Sequence, residues 1–441
     1  MAITEKELTT YFQNKFSDLK DNSIGGQIPE IKELREKALE QFSQLGFPMK
    51  KSEEYKYTPI TKSLMKSMKL ESDIPSEATM LPPFGEHLMP SLDGFLLVYW
   101  NGRLAFKSEE LPKGLTVEQF DELDSNHQDK ILNYVASLSE LNTDAFASLN
   151  TAFLNRGSVI SIPDGVEIDR PIIIYHIFDG HTGGYFQTRH LIIAGKNSQA
   201  TILEINKNTN SELEVFQNAV TEVFLEESAK LHLHKLQTEC DGALIVDNTS
   251  ISQQEKSYLN CNTITTSGRM IRNNLNISIN GQYCEAHMHG LYLLHGKDHV
   301  DNHTKVDHRM ANSFSNELYK GIIDDSATGV FNGKIYVQPD AQKTNAFQSN
   351  KNILLSNKAN MNTKPQLEIW ADDVKCSHGA TTGQLDEDQI FYLRARGLDE
   401  QQAKGLLLYA FAKESLENIN LPEVQQHLEL IISERLYHKK S

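Results

Sequence analysis

One short segment of this chain holds two side chains that bind transition metals. Residues 372–379, with the sequence DDVKCSHG, place the thiol of Cys376 and the imidazole of His378 two positions apart. In an extended strand, residues i and i+2 point to the same face. The pair therefore offers a sulfur and a nitrogen from one surface, a donor set that suits iron, zinc and iron–sulfur sites. Because two ligands do not close a tetrahedral site, the pair predicts a metal site that another segment or a second protein completes.

The spacing by itself also fits a structural role for both residues. A free cysteine often serves as a small hydrophobic side chain, and a nearby histidine often makes only a hydrogen bond. From the residues alone, both interpretations of Cys376 and His378 stay open.

Other histidines and acids form rows that look like ligand sets. His299, Asp301, His303 and Asp307 share one face of a regular strand. A flat row spreads ligands too far apart for one ion, so we expect it on a solvated outer face or at a subunit contact. Two histidine pairs at i, i+2 spacing are expected to be structural, namely His232 with His234 and His287 with His289.

The elements that must position these side chains are mostly short strands. From about residue 157, runs such as VISI, IIIY and ATILEI recur between turn sequences such as PDG, GKN and NGQ. No helix-length pattern intervenes until about residue 385, which excludes a doubly wound sheet. A sandwich, a barrel or a solenoid remains, and a parallel β-helix is the simplest choice over so long a region.

Helical patterns flank this region on both sides. Thr4 and Glu7 form a capping-box pattern, Pro29 opens a second helix, and Asn101-Gly102 predicts a hairpin. Helical spacing returns between residues 116 and 155. After residue 385, three helical segments carry apolar faces that need the end of the solenoid or another protein. We predict a mainly β protein with a helical domain containing a hairpin (1–156), a parallel β-helix core (157–384) and a C-terminal helical domain (385–441).

Composition narrows the function classes. The 441 residues carry a formal net charge of −16, which repels phosphate backbones and argues against nucleic acid as a partner. The first residues lack the order of a signal peptide, and no apolar run has transmembrane length, so we expect a cytoplasmic protein without membrane contact. The four cysteines form no CxxC pair and are predicted to be free thiols. Cys240, Cys261 and Cys284 are expected to fill the solenoid interior, with a sulfur relay between coils as the alternative.

Several longer motifs carry a family resemblance. They are GLYLL at 290–294, HVDNHT at 299–304, VFNGKIYVQPDAQKTNA at 330–346, CSHGAT at 376–381 and FYLRARG at 391–397. In this order they resemble the SufD branch of the SufB/SufD family, which belongs to the Suf system for iron–sulfur cluster assembly. The similarity is dense from about residue 291 to 414, and YKYT at 55–58 also fits. In SufB, the segment that matches FYL has a cysteine at its third position, and this cysteine is thought to receive sulfur. This chain has Leu393 at that position.

The resemblance implies a right-handed parallel β-helix that serves as a non-catalytic scaffold subunit in a SufBCD complex. It implies a SufB-like partner and a SufC-like ATPase that docks on the C-terminal helices. It also implies that His378 lies at the interface with SufB and helps to hold a nascent, transient iron–sulfur cluster, with Cys376 as a second candidate ligand. Reduced flavin has been linked to the family complex, but the sequence carries no dinucleotide fingerprint. Whether the isolated chain forms a homodimer stays open.

Two alternatives belong to other function classes. A SufB-like catalytic scaffold would need a nucleophile where this chain has Leu393. A β-helix polysaccharide hydrolase would use Asp324 and Asp325 as acid and base. The missing secretion signal and the missing arginine–lysine partner motif argue against the hydrolase.

Overall fold

The computed structural model describes residues 3–20, 28–67, 84–89, 92–120, 131–154, 157–178, 184–210 and 215–437. Its helices are α1 (Glu5–Lys20), α2 (Pro29–Leu45), α3 (Ile60–Ser67), α4 (Ala145–Ala152), α5 (Glu387–Ala395), α6 (Glu400–Leu416) and α7 (Pro422–Tyr437). Its strands are β1 (Phe95–Trp100), β2 (Arg103–Lys107), β3 (Thr116–Gln119), β4 (Gly157–Ile162), β5 (Ile172–Phe178), β6 (Tyr185–Ala194), β7 (Gln199–Asn208), β8 (Val215–Leu225), β9 (Lys230–Glu239), β10 (Ala243–Gln253), β11 (Tyr258–Thr265), β12 (Met270–Ile279), β13 (Glu285–Leu294), β14 (His299–His308), β15 (Phe314–Ile323), β16 (Thr328–Val337), β17 (Asn345–Leu354), β18 (Asn360–Ile369) and β19 (Lys375–Gly383).

The strands from β4 onward wind into a parallel β-solenoid. The first sheet contains the odd-numbered strands from β5 to β19, continued by β1 and β2, and the second contains the even-numbered strands from β4 to β18, continued by β3. Each strand pairs in parallel with the strands one coil away: Tyr258 stands beside Lys230, 28 residues earlier, and Glu285, 27 residues later. This confirms the mainly β fold with a parallel β-helix and helices at both ends of the chain.

The turns explain how the chain changes sheet after each strand. In every turn from the second sheet to the first between β6 and β17, one non-glycine residue has a positive φ; these residues are Asn197, Ser228, Lys256, Tyr283, Asn312 and Lys343. Successive turns also bond to each other through the backbone, as Ser228 N to Glu255 O at 2.8 Å shows. The stacked turns hold the coils in register, so side chains one coil apart form straight rows.

The solenoid interior is filled by the inward-facing row of each strand. These rows form one long apolar cluster that runs from Phe95 to Phe331. Outside the solenoid, the N-terminal helices cover the second sheet, where Phe12 and Phe146 pack near Tyr185 and Phe216. The C-terminal helices α6 and α7 cover the outer face of the first sheet through Leu408 and the residues after it. Their apolar faces therefore pack on the side of the solenoid and not on its end.

The N-terminal region follows the sequence prediction in part. The capping box forms, with Thr4 N donating to Glu7 Oε2 at 2.6 Å, and β1 and β2 form the predicted hairpin. The helical prediction for residues 116–155 is wrong at its start. Thr116–Gln119 is strand β3, since it pairs antiparallel with β4, and α4 begins only at Ala145. Residues 121–130 and 155 of this prediction lie outside the described residues.

Candidate functional site

Cys376 and His378 lie on β19, the terminal strand of the first sheet. In the pairing of β19 with β17, Cys376 stands beside Ala346 and His378 beside Gln348. Ala346 belongs to a small buried apolar cluster inside the solenoid, and Cys376 packs against it. The two side chains therefore share one face, as their spacing predicts, and that face is the inner row of the last coil.

The two candidate ligands differ in exposure. Cys376 is half-buried, and burial raises the pKa of its thiol, so the thiol keeps its proton until a metal or cation displaces it. His378 is exposed although it lies on an inner row. The imidazole can therefore be reached from the end of the solenoid.

The end of the solenoid is open because β18 and β19 are the last strands of their sheets. Along both strands the side chains are half-buried or exposed. Trp370, which follows β18, is 51 % exposed and stacks on Tyr336 with ring centroids 6.1 Å apart. Terminal strands also offer backbone N–H and C=O groups to another chain. This end combines two metal-binding side chains with a surface suited to a partner.

The donors at this end do not form a complete site by themselves. Within the part of the chain that the structure describes, no group of three His, Cys, Asp or Glu side chains is placed to hold a metal ion. One thiol and one imidazole supply half of a tetrahedral coordination sphere. The arrangement can therefore hold iron or a cluster only together with ligands from elsewhere.

Two buried polar residues lie directly beneath His378 and were missed by the sequence analysis. Gln348 on β17 is the neighbour of His378, and Glu317 on β15 is the neighbour of Gln348. Gln348 Nε2 donates to Glu317 Oε2 at 2.7 Å, and burial raises the pKa of Glu317 to about 7. Gln348 lies 31 residues after Glu317, His378 lies 30 residues after Gln348, and each separation equals one coil. This repeat distance is the sequence signal that could have identified the two buried residues.

The row of His299, Asp301 and His303 does not form a solvated face or a subunit contact, so that interpretation is wrong. The N-terminal segment of the same chain covers it. Asp301 is 1 % exposed, pairs with Arg272 at 2.6 Å, and accepts a hydrogen bond from Thr58. His303 lies 3.1 Å from Asp301 and 3.4 Å from Glu54. These contacts fasten the residues around YKYT to the second sheet.

The first of the two predicted histidine pairs, His232 with His234, has structural contacts, as expected. His234 Nε2 lies 2.6 Å from Asn420 Oδ1, and His232 and Asn260 meet at 3.2 Å under the loop between α6 and α7. Burial lowers the pKa of His234 to about 4, so the ring is neutral near pH 7. These rings join the C-terminal helices to the solenoid.

The three remaining cysteines are buried, as predicted. Cys240, Cys261 and Cys284 all belong to the apolar interior. Burial raises the pKa of Cys261 to about 12 and also raises the pKa values of the other two thiols. Protonated, enclosed thiols are poor nucleophiles, which favours the filling role over a sulfur relay.

The acidic pair considered for hydrolysis caps a turn. Asp324 Oδ1 accepts from the backbone N–H of Asp325 at 2.7 Å, and Asp325 Oδ2 accepts from that of Gly296 at 2.9 Å. The Asp325 carboxylate thus holds successive turns together, whereas the Asp324 carboxylate caps its own turn.

A second surface stands out on the C-terminal helices. Phe391 and Tyr392 on α5 are 72 % and 58 % exposed, and Leu406 on α6 is 41 % exposed. Tyr392, Leu393 and Leu406 line a shallow cavity of about 380 Å³ between the two helices. Large exposed apolar side chains gathered in this way mark a protein-binding surface. Among the helices that the structure describes, none has the length and apolar character needed to cross a bilayer.

Comparison with known proteins agrees with this architecture. A family model described as SUF system FeS cluster assembly, SufBD core domain, matches residues 176–411, and one described as SufBD protein N-terminal region matches residues 2–174. A SufBD family protein of Synechocystis is 30 % identical over 98 % of this chain and 97 % of its own. The SufD proteins of Escherichia coli and Bacillus subtilis are 29 % and 23 % identical; the matches cover 90 % and 92 % of this chain, and 91 % and 94 % of those proteins.

The core model matches more than half of the chain, and the two models together cover the quoted motifs, the solenoid strands and the N-terminal helices. This chain belongs to the SufB/SufD family, with a role in iron–sulfur cluster assembly by the Suf system.

Proposed function

We propose that this chain is a non-catalytic scaffold subunit that contributes His378, with Cys376 beside it, to a nascent iron–sulfur cluster shared with a SufB-like subunit. The observation that carries the proposal is the position of His378. It lies on the inner row of the last coil and is nevertheless exposed. A partner that covers the open end would bring its own ligands to the same point. The cluster is cargo, assembled at the junction and passed on.

The open end is also the proposed subunit interface. Terminal strands β18 and β19 and the exposed Trp370 supply a backbone edge and an aromatic side chain. A SufB-like solenoid with the same cross-section fits this end better than an unrelated fold, because its own terminal strands can continue both sheets. By the same reasoning, the isolated chain can pair with a second copy of itself.

The C-terminal helices are the proposed docking site for a SufC-like ATPase. Tyr392, Leu393 and Leu406 line the exposed cavity between α5 and α6. Leu406→Glu should abolish capture of the ATPase, whereas Leu430→Glu on α7, where the leucine is 57 % exposed, should not. Equal capture by both variants in a titration with purified ATPase would contradict this assignment.

The role as partner, and not as sulfur acceptor, follows from Leu393. Its half-buried side chain on α5 carries no nucleophile and no metal-binding atom. We propose residues 1–156 as an N-terminal domain whose helices cover the second sheet, 157–384 as the scaffold and 385–441 as the ATPase-binding region. A cytoplasmic location fits the four free cysteines, which a reducing compartment preserves.

The experiment is anaerobic co-expression with the SufB-like and SufC-like partners. His378→Ala should lower iron and acid-labile sulfide in the purified complex by about 10-fold or more, because a ligand is lost. His295→Ala removes an exposed histidine in the turn after β13, a strand three pairings away from β19 in the first sheet, and serves as the matched control. Cys376→Ala tests the second ligand. A His378→Ala complex that assembles normally and keeps its full cluster content would contradict the proposal.

A further inference from the structure

We propose that Gln348 is a positioning residue for His378: anchored by Glu317, it presents its side-chain oxygen to the imidazole and selects which ring nitrogen is free to bind metal. This inference rests on the proposed function, since it concerns the same histidine. It adds two residues, buried beneath the last coil, to a site otherwise made of exposed groups.

The register of strands β15, β17 and β19 places the three residues side by side. Glu317 on β15, Gln348 on β17 and His378 on β19 are direct neighbours in the parallel pairing. Adjacent strands lie about 4.8 Å apart, and all three residues belong to the same inner row. Gln348 therefore has Glu317 on one side and His378 on the other.

The hydrogen bond to Glu317 sets the orientation of the Gln348 side-chain amide. Gln348 and Glu317 are 3 % and 1 % exposed, and Gln348 Nε2 donates to Glu317 Oε2 at 2.7 Å. Above its pKa of about 7 the Glu317 carboxylate is ionised and only accepts hydrogen bonds, so it then fixes the NH2 group of the amide on its own side. The oxygen of Gln348 is then the amide atom that is not bonded to Glu317, and His378 is the neighbour of Gln348 on the opposite side.

The side-chain oxygen of Gln348 lacks a hydrogen-bond donor among the described residues. Gln348 Oε1 is buried and, among the residues that the structure describes, has no hydrogen-bond partner. A buried acceptor without a donor is unfavourable. His378 stands beside Gln348 in the strand pairing, its imidazole has an N–H to donate, and its ring is exposed.

The facing sheet leaves room for the amide. Gly333 on β16 lies opposite, and a Cβ atom at this glycine would stand 2.2 Å from Gln348 Nε2. A side chain at this position would displace the amide from Glu317. Because glycine has no side chain, Gly333 leaves the space that the hydrogen bond between Gln348 and Glu317 needs.

The chemistry follows from the two nitrogens of imidazole. A neutral ring carries one N–H, and a metal-binding histidine usually gives it to a carbonyl or carboxylate while the other nitrogen holds the metal. With Gln348 Oε1 as acceptor, the proton is kept on the nitrogen that faces the solenoid. The other nitrogen keeps its lone pair and points out of the open end toward a shared cluster.

The test uses the full-length chain without cluster, labelled with ¹⁵N-histidine and studied at pH 8, where Glu317 is ionised. Long-range ¹H–¹⁵N spectra report the ring tautomer, and His378→Gln identifies the signals of His378. We expect one tautomer in the unmodified chain and, in Gln348→Leu, the mixture typical of a solvated ring. In the co-expressed complex, Gln348→Leu should lower cluster content by about 10- to 100-fold.

Two further variants separate positioning from a general loss of structure. Asn350→Leu removes the neighbouring inner-row amide, which bonds to Tyr292 and to the carbonyl of Tyr319, and should leave the His378 tautomer unchanged. The double variant Glu317→Gln/Gln348→Glu swaps the two side chains and again places a buried acceptor beside His378. It should show the single tautomer that Gln348→Leu loses. If Gln348→Leu does not fold, Gln348→Asn keeps the amide, withdraws it by one methylene, and should give the same mixed tautomer.

An unchanged tautomer in folded Gln348→Leu, or in its Asn replacement, would overturn the inference. That outcome is distinct from failure of the proposed function, which is read from the cluster content of His378→Ala. A tautomer that shifts in Gln348→Leu while His378→Ala keeps its cluster would support the positioning contact and reject the ligand role.

Discussion

Imidazoles lie on the inner rows of this solenoid in two opposite settings. In the early coils, His176 and His190 are buried, 3.3 Å apart, and His176 lies 3.4 Å from Glu204. In the last coil, His378 occupies the same kind of position and is exposed.

The comparison shows that the position along the solenoid, and not the residue type, decides what an inner-row side chain can do. In the early coils Glu204 reaches Lys235 at 3.3 Å, and Lys235 reaches Asp247 at 2.8 Å, so the buried charges are paired with one another. Burial lowers the pKa of His190 to about 3 and keeps that ring neutral. The last coil lacks a covering coil, so His378 remains exposed and Cys376 is only half-buried.

The largest expected difference between the two regions is thiol access. Cys376 should react with iodoacetamide in the native chain, while Cys240, Cys261 and Cys284 should react at least about 1,000-fold more slowly, because labelling them requires cooperative opening of the core. Mass spectrometry of peptides over a time course at pH 8 measures each rate. Comparable labelling rates for Cys376 and Cys261 would show that the interior of the early coils is as accessible as the last coil.

The next largest effect concerns the paired charges of the early coils. Lys235→Met leaves Glu204 and Asp247 buried without their shared cation and should lower the free energy of unfolding by about 3–5 kcal/mol. The matched control is Lys343→Met, whose exposed lysine should contribute less than about 0.5 kcal/mol. Urea unfolding followed by circular dichroism measures both; a small loss in Lys235→Met would mean that water reaches these charges.

Glu317 marks the boundary between the two regions and predicts a pH dependence. Burial raises its pKa from 4.5 to about 7, so ionisation costs more in the folded than in the unfolded chain. Its favourable contribution to stability is complete below pH 4.5 and declines as pH rises to 7, by about 3 kcal/mol. The difference in unfolding free energy between the unmodified chain and Glu317→Gln, measured at pH 5 and pH 8, should change by about 2.5 kcal/mol, because part of the decline lies below pH 5. A constant difference would show that Glu317 is solvated.

The smallest effect should come from the open end itself. His378→Ala should change the free energy of unfolding by less than about 0.5 kcal/mol, because an exposed imidazole contributes little packing. His190→Ala, which opens a space among buried rings, should cost clearly more. Equal losses in urea unfolding would indicate that His378 is part of the folded core and not a free donor.

Much of the fold could be predicted because its signals are local. Capping boxes, the Asn101-Gly102 hairpin and the recurring turns depend on residues only a few positions apart. The helical prediction at Thr116–Gln119 failed because pairing with β4, about 40 residues away, overrode the local pattern. The row around Asp301 was misjudged for a related reason: Thr58, which covers it, lies 243 residues away in the chain.

The sequence by itself determined that Cys376 and His378 share a face, since alternation along a strand is a local property of the backbone. It also favoured the solenoid over a sandwich or a barrel, because so long a region of short strands without crossover helices is most simply folded in that way. Only the tertiary structure decided that this face belongs to the last, open coil and that Gln348 and Glu317 lie beneath it. Burial and stacking depend on which coil lies above and which below, and that relation joins residues about 30 positions apart, beyond the reach of any local pattern.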